Sequence, residues 1–220
     1  YSLTKEGLYI NLYGSNHLNT TTEEGAKIHL HQQTNYPWDG AISINIDTAP
    51  KEEYTLFLRI PGWSNGATVM VNNKAVDASP VSGTYLKIER KWKKGDVISL
   101  NIPMPVEVMQ ANPLVEETRN QVAVKRGPIV YCLESEGISK KSSINEVVLN
   151  SNSDFKIQTI QKNNRNLIAI TAKGFLNNNS WDKKLYQPLK NSKEEVSLQL
   201  VPYFAWGNGS SKEMSVWFLH

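Results

Sequence analysis

The chain has 220 residues, and its 24 lysines and arginines against 21 aspartates and glutamates give a net charge of +3. Hydrophobic residues make up 40% and charged residues 20%, a balance that supports one large or two small packed domains and excludes wholesale disorder. The basic excess is spread along the chain, so we predict no nucleic-acid partner. No apolar run approaches the ~20 residues of a membrane span, so we predict no membrane partner.

The first residues, 1–7, contain neither a methionine nor a signal-peptide pattern. We therefore interpret the chain as a piece of a longer protein, whose compartment these residues leave open. The single cysteine, Cys132, excludes an intrachain disulfide and any multi-cysteine metal site within the chain.

Alternating apolar and polar residues predict β-strands along most of the chain. Ile42, Ile44 and Ile46 alternate with polar residues, and the same period of two recurs at 54–60, 98–102 and 196–200. Successive side chains of a strand point to opposite faces, so each run has one face toward a core. Turn signals such as Asn72-Asn73 separate the runs at intervals of about ten residues, which is typical of antiparallel sandwiches.

A domain boundary is predicted at 109–113, where evenly spaced strands give way to a more polar region. The predicted fold is all-β, with two antiparallel β-sandwich modules in tandem at 1–110 and 111–220. Each module would have about 110 residues, the usual size of a sandwich. The Asn-rich stretches at 150–152, 163–166 and 177–179 are interpreted as long surface loops.

Eight phrases, in order, resemble the C-terminal β-sandwich region of glycoside hydrolase family 127, the β-L-arabinofuranosidase family once called domain of unknown function 1680. They are GLYINLY (7–13), QTNYPWDG (33–40), LRIPGWS (58–64), VNN (71–73), GTYLKIERKWKKGD (83–96), PMP (103–105), VAVKRGPIVYCLE (122–134) and LVPYFAWGN (200–208). The resemblance implies a preceding (α/α)6 barrel, absent from this sequence, which carries a zinc-bound cysteine nucleophile and a glutamate acid/base. Zinc is thus implied only for that barrel, and no cofactor is expected in this chain.

No catalytic residue is predicted within the 220 residues. Cys132 lies in an apolar strand and is expected to be a small core residue, because a reactive thiolate needs nearby cations or a metal. Adjacent glutamates such as Glu52-Glu53 point to opposite faces of a strand, whereas glycoside hydrolysis needs two carboxyl groups about 5–10 Å apart across a cleft.

His29 and His31 share one face of a predicted strand, opposite Ile28 and Leu30. A His-x-His pair can begin a zinc site, but such a site needs at least one further ligand. His17 is assigned to a loop and His220 to the chain end, and Asp39 or Glu23 would complete a site only by accident of folding. We therefore predict no metal site and assign His29 and His31 to a solvated face or to an interface with a neighbouring domain.

Several aromatic residues stand in predicted loops, where they could bind sugar rings or pack against another domain. Tyr36 and Trp38 flank Pro37, and we assign them to the interface with the missing barrel, with sugar stacking as the alternative. Trp181, among asparagines, is the candidate substrate-binding platform. Trp206, before a Gly-Asn-Gly turn, is a further aromatic in a loop.

Three functions remain open at this point. The first is a non-catalytic accessory region that braces the barrel of a glycosidase acting on β-L-arabinofuranosides or related glycosides. The second is a carbohydrate-binding module that delivers the parent enzyme to polysaccharide, and the third is an independent enzyme, for which the residues provide no site. A polysaccharide-degrading parent favours a periplasmic or secreted location.

Overall fold

The computed structural model describes residues 1–177, 184–188, 193–207 and 213–220. The chain divides into two units, Tyr1–Pro105 and Val106–His220. The predicted all-β fold is confirmed: the described residues form strands and three short 3-10 turns, Glu116–Thr118, Ile144–Glu146 and Tyr203–Ala205. Among the described residues, no helix has the length and apolar character to cross a membrane.

The first unit contains ten strands in two sheets. They are β1 (Ser2–Thr4), β2 (Gly7–Ile10), β3 (Asn16–Thr21), β4 (Lys27–Thr34), β5 (Ala41–Thr48), β6 (Tyr54–Arg59), β7 (Thr68–Val71), β8 (Lys74–Ala75), β9 (Tyr85–Arg90) and β10 (Val97–Asn101). A four-stranded sheet has the order β1-β2-β6-β9, and a six-stranded sheet has the order β3-β4-β5-β10-β7-β8. Their pairings are antiparallel except that of β2 with β6.

The core of the first unit lies between these two sheets. Ile44 of β5 and Leu58 of β6, which belong to different sheets, are fully buried in one hydrophobic cluster. The alternation seen in the sequence places Ile42, Ile44 and Ile46 inward, while Ser43 and Asn45 face out. A two-sheet sandwich follows, and each sheet is left with one outward face.

The described residues of the second unit form nine strands. They are β11 (Val106–Gln110), β12 (Gln121–Arg126), β13 (Ile129–Ile138), β14 (Val147–Leu149), β15 (Lys156–Lys162), β16 (Arg165–Asn177), β17 (Lys193–Pro202), β18 (Met214–Ser215) and β19 (Trp217–Leu219). All belong to one sheet. Six of them pair in the order β12-β19-β14-β16-β17-β13, and the ring closes because β13 also pairs with β12. Six strands therefore form a closed, barrel-like ring in place of the two separate sheets expected from the sequence, and β14 pairs with β19 in parallel.

The division between the units lies five residues before the predicted boundary. Val106–Gln110 forms β11 and pairs with Gln121–Arg126, so these residues belong to the second unit. One predicted loop also differs: Asn163 and Asn164, with φ of 50° and 58°, form the tight turn between β15 and β16. Asparagine tolerates this left-handed backbone, which two-residue hairpin turns require.

Candidate functional site

Cys132 is fully buried in β13. Burial, reinforced by the negative charge of Glu134 and opposed by Lys162, raises the pKa of its thiol to about 12. Because the thiolate is the nucleophilic form, this side chain is unreactive at neutral pH. The zinc–cysteine centre that the resemblance implies for the barrel cannot be assembled from this chain, whose one cysteine is Cys132.

The adjacent glutamates are placed on the surface. Glu52, Glu53, Glu116 and Glu117 are exposed. Lys140 forms an ion pair with Glu194, and Lys173 forms another with Glu195 at 2.7 Å between Nζ and Oε1. Glu194 and Glu195 are thus partnered by lysines at the surface, and neighbouring glutamates placed in this way do not provide the pair facing across a cleft that glycoside hydrolysis requires.

The outward side of the four-stranded sheet carries a cluster of stacked rings, which we call the aromatic face (Tyr9, Phe57 and Tyr85). The rings of Tyr9 and Phe57 stack with centroids 4.1 Å apart, and Tyr85 meets Tyr9 edge-on at 5.1 Å. Tyr85 is 42% exposed, and its hydroxyl donates to Oδ1 of Asn11 at 2.8 Å. The hydroxyl of Tyr9 donates to Oε2 of Glu6 at 2.9 Å.

Tyr13 links the end of strand β6 to the predicted interface residues. Its hydroxyl donates to the backbone oxygen of Arg59 at 2.7 Å, and burial raises its pKa. Its ring meets that of Tyr36 edge-on at 6.2 Å between centroids. Tyr36 is half-buried against the core of the first unit, and burial raises the pKa of its hydroxyl. Trp38 is also half-buried.

His29 and His31 lie on the outward face of the six-stranded sheet, while Ile28 and Leu30 are buried. His31 is grouped with residues from two neighbouring strands. Its Nδ1 lies 2.9 Å from Oδ2 of Asp47, and its ring centroid lies 5.3 Å from that of His17. His17 belongs to strand β3. Its assignment to a loop from the sequence is therefore wrong.

Sequence reasoning missed this grouping because it depends on strand register. His17 stands directly opposite His31, and Asn45 stands opposite His31 on the other side. The alternation of Leu18 and Thr20 with polar residues is the one signal that could have placed His17 in a strand, but it leaves the pairing partner undetermined.

Three exposed aromatic side chains lie at and directly after the 3-10 turn Tyr203–Ala205, within the part of the second unit that the structure describes. Tyr203, Phe204 and Trp206 are 48%, 55% and 38% exposed. The rings of Tyr203 and Trp206 are nearly parallel, with an interplanar angle of 15° and centroids 6.4 Å apart. The predicted platform residue Trp181 lies outside the described residues. Among the described residues of this unit, Tyr203 and Trp206 therefore provide the surface best suited to stacking against a sugar ring.

Comparison with known proteins identifies relatives of both units. Residues 7–104 match the family described as the middle domain of GH127 β-L-arabinofuranosidase, and residues 106–219 match the C-terminal domain of glycoside hydrolase family 127. A non-reducing end β-L-arabinofuranosidase of Bifidobacterium longum is 30% identical over 208 residues, which cover 89% of this chain and 31% of that enzyme.

Solved structures have the same fold. A GH127 β-L-arabinofuranosidase from Geobacillus stearothermophilus T6 superposes with a TM-score of 0.90 at 33% identity, covering 100% of this chain and 34% of that one. A structure described as a glycoside hydrolase has a TM-score of 0.92 at 38% identity and covers 97% of this chain and 36% of its own. The chain thus spans about a third of the length of these relatives. Because the two family matches together take in nearly all of its residues, the chain belongs to glycoside hydrolase family 127.

Proposed function

We propose that this chain is the non-catalytic accessory part of a longer glycosidase, and that it braces an (α/α)6 catalytic barrel. The longer enzyme would hydrolyse β-L-arabinofuranosides or related glycosides, as the relatives are named to do. The observation that carries the proposal is the aromatic face, which presents stacked rings on the outside of a sheet whose other side already packs on the core.

The composition of this surface suits a protein partner. Tyrosine, phenylalanine and arginine are enriched where proteins meet, and Arg59 is exposed at the end of β6, beside the aromatic face. Tyr13 contacts both Arg59, through a hydrogen bond to its backbone oxygen, and Tyr36, through its ring. We therefore include Tyr36 and its neighbour Trp38 in the same proposed interface. We propose that this surface contacts the barrel of the longer enzyme. The barrel would correspond to the part of the relatives' length that this chain does not cover.

The chain alone is expected to show no turnover of an aryl β-L-arabinofuranoside. The reason is that Cys132 is buried and its pKa is raised, and that the paired glutamates face solvent. The measurement is release of the aryl alcohol, with the Bifidobacterium longum relative as the active standard. Turnover by the chain that disappears in Cys132→Ser would refute the accessory role.

The aromatic face is expected to make the isolated chain associate weakly, since partly exposed aromatic rings on the outside of a sheet favour contact with another protein surface. Sedimentation at increasing concentration should show a shift toward dimer in the unaltered chain and a much smaller shift in Phe57→Ser/Tyr85→Ser. Met70→Ser is the matched control, because Met70 is 40% exposed on the outside of the other sheet. If Phe57→Ser/Tyr85→Ser associated as strongly as Met70→Ser, the aromatic face would not be the surface through which the chain associates.

A carbohydrate-binding function is the second candidate, favoured by the exposed pair Tyr203 and Trp206. Near-parallel rings open to solvent can stack against the apolar face of a sugar. Retardation of the chain in native gels containing arabinan, lost in Trp206→Ala and kept in Phe57→Ser/Tyr85→Ser, would establish this function in place of simple bracing.

A further inference from the structure

We infer that His17, His31 and Asp47 form a binding site for a divalent transition-metal ion on the outward face of the six-stranded sheet. One ligand atom from each of the three side chains lies within 4.8 Å of the other two. This inference is independent of the proposed accessory function. It also departs from the expectation of no metal site, which depended on the lack of a third ligand near His29 and His31.

Three neighbouring strands supply the three ligands. His17 lies on β3 directly opposite His31 on β4, and the side chains of such a pair stand on the same face of the sheet. Asp47 comes from β5 at a break in the register, where Leu30 pairs with Ile46 but His29 pairs with Thr48. Asp47 is thus the extra residue of a β-bulge, a feature that redirects side chains beside functional sites.

The donor set has the chemistry of a zinc site. Zinc binds imidazole nitrogen and carboxylate oxygen at about 2.0–2.2 Å, and sites with three protein ligands leave a fourth position for water or another ligand. Two imidazoles with one carboxylate also suit Cu²⁺ and Ni²⁺ better than Ca²⁺ or Mg²⁺, which prefer oxygen ligands.

The side chains can close around an ion without rearranging the sheet. Tetrahedral zinc places its ligand atoms about 3.4 Å apart. The present separations, which range from 2.9 Å for the His31–Asp47 pair to no more than 4.8 Å, must therefore adjust by rotation of side chains. Nδ1 of His31 and Oδ2 of Asp47 are hydrogen-bonded at 2.9 Å, so an ion would take the place of the shared proton, which is released to solvent, and the two atoms would move slightly apart. Their side chains are 32% and 45% exposed, which leaves room for this movement. His17, the remaining ligand, is exposed and free to turn toward them.

A bound ion would fasten the outermost strand of the sheet. Strand β3 has β4 as its one partner in the six-stranded sheet, within the part of the chain that the structure describes. Coordination by His17, His31 and Asp47 would join β3, β4 and β5 through side chains in addition to their backbone hydrogen bonds. Metal binding should therefore raise the thermal stability of the first unit.

The test uses the untagged 220-residue chain, freed of metal by a chelator and titrated with ZnCl₂ by calorimetry. We expect one equivalent to bind, and we expect His17→Ala and His31→Ala each to weaken the affinity at least about tenfold. Asp47→Asn, which keeps the shape of the side chain but removes its charge, should also weaken binding. His29→Ala is the matched control, because His29 is on the same face of the same strand and outside the cluster.

Thermal unfolding gives a readout that does not depend on heats of binding. Zinc at ten times its dissociation constant should raise Tm of the first unit by about 5 °C in the unaltered chain and in His29→Ala. It should raise Tm little in His17→Ala or His31→Ala. Equal Tm values in chelator would show that these surface variants fold normally. Absence of binding, or binding that His29→Ala impairs as much as His17→Ala, would overturn the site and leave a hydrogen-bonded His31–Asp47 pair only.

Discussion

Replacing Lys162 with methionine is expected to destabilise the second unit by about 3 kcal/mol. Lys162, at the end of β15, forms an ion pair with Glu134 of β13, whose side chain is only 9% exposed. The methionine would leave that carboxylate buried without its positive partner, and an uncompensated buried charge is costly. Hydrogen exchange of the β13 and β16 amides under increasing denaturant would measure the loss for this unit alone.

The matched control is Lys173→Met. Lys173 is paired with Glu195 at 2.7 Å, but these side chains are 64% and 57% exposed. An exposed ion pair contributes about 0–1 kcal/mol, so this variant should change the free energy of unfolding little. The double variant Lys162→Met/Glu134→Leu should recover most of the stability, because it removes both charges. If Lys162→Met and Lys173→Met lowered the free energy of unfolding equally, the burial of Glu134 would not determine how much its ion pair contributes to stability.

Replacing Gly40 with alanine is expected to destabilise the first unit by about 3 kcal/mol or more. A Cβ atom at this position would lie 1.8 Å from the backbone oxygen of Ile102 and 2.7 Å from its carbonyl carbon. The two segments are also joined by a hydrogen bond from the amide of Ile102 to the oxygen of Gly40, at 2.9 Å. Relief of the clash would require backbone movement that breaks this bond.

Gly14→Ala provides the comparison for this prediction, since a Cβ there would meet nothing within 4 Å. Alanine at an open position of ordinary backbone conformation should be neutral or stabilise by about 0.5 kcal/mol, by restricting the unfolded chain. Hydrogen exchange of the β5 and β10 amides, under the same denaturant series, would report the first unit. If Gly40→Ala were as stable as Gly14→Ala, the backbone around Gly40 could move away from Ile102 without loss of stability, and the prediction would be wrong.

The sequence predicted local structure well because alternation is a local property. The inward positions of Ile42, Ile44 and Ile46 follow from their period of two, and so does the outward position of His31. Long-range pairing is different, since it depends on which strands meet. Alternation does not reveal that β13 pairs with both β12 and β17, so the closed ring of the second unit could not be predicted.

The same limit applies to the candidate site. A one-residue slip in register would move a whole strand's side chains to the opposite face, and only the observed register sets His17 against His31. The alternation of β5 places Asp47 on the outward face, but its position beside His31 depends on how β4 and β5 pair, including the β-bulge at Asp47. Tyr9, Phe57 and Tyr85 come from three strands, and their stacking was hidden for the same reason.

The closed ring of the second unit has a consequence for aggregation. Strands inside a ring have a neighbour on each side, so their backbone groups cannot recruit a strand from another molecule. The first unit has open sheets, and its terminal strands β1 and β8 have only three and two residues, too few to template much pairing. Outside the ring, within the described residues, β11 pairs with β12 and the seven-residue β15 pairs with β16, so each keeps one open edge. The longer edge strands β3, β9 and β15 are therefore the positions where partly unfolded copies of this chain would first join edge to edge.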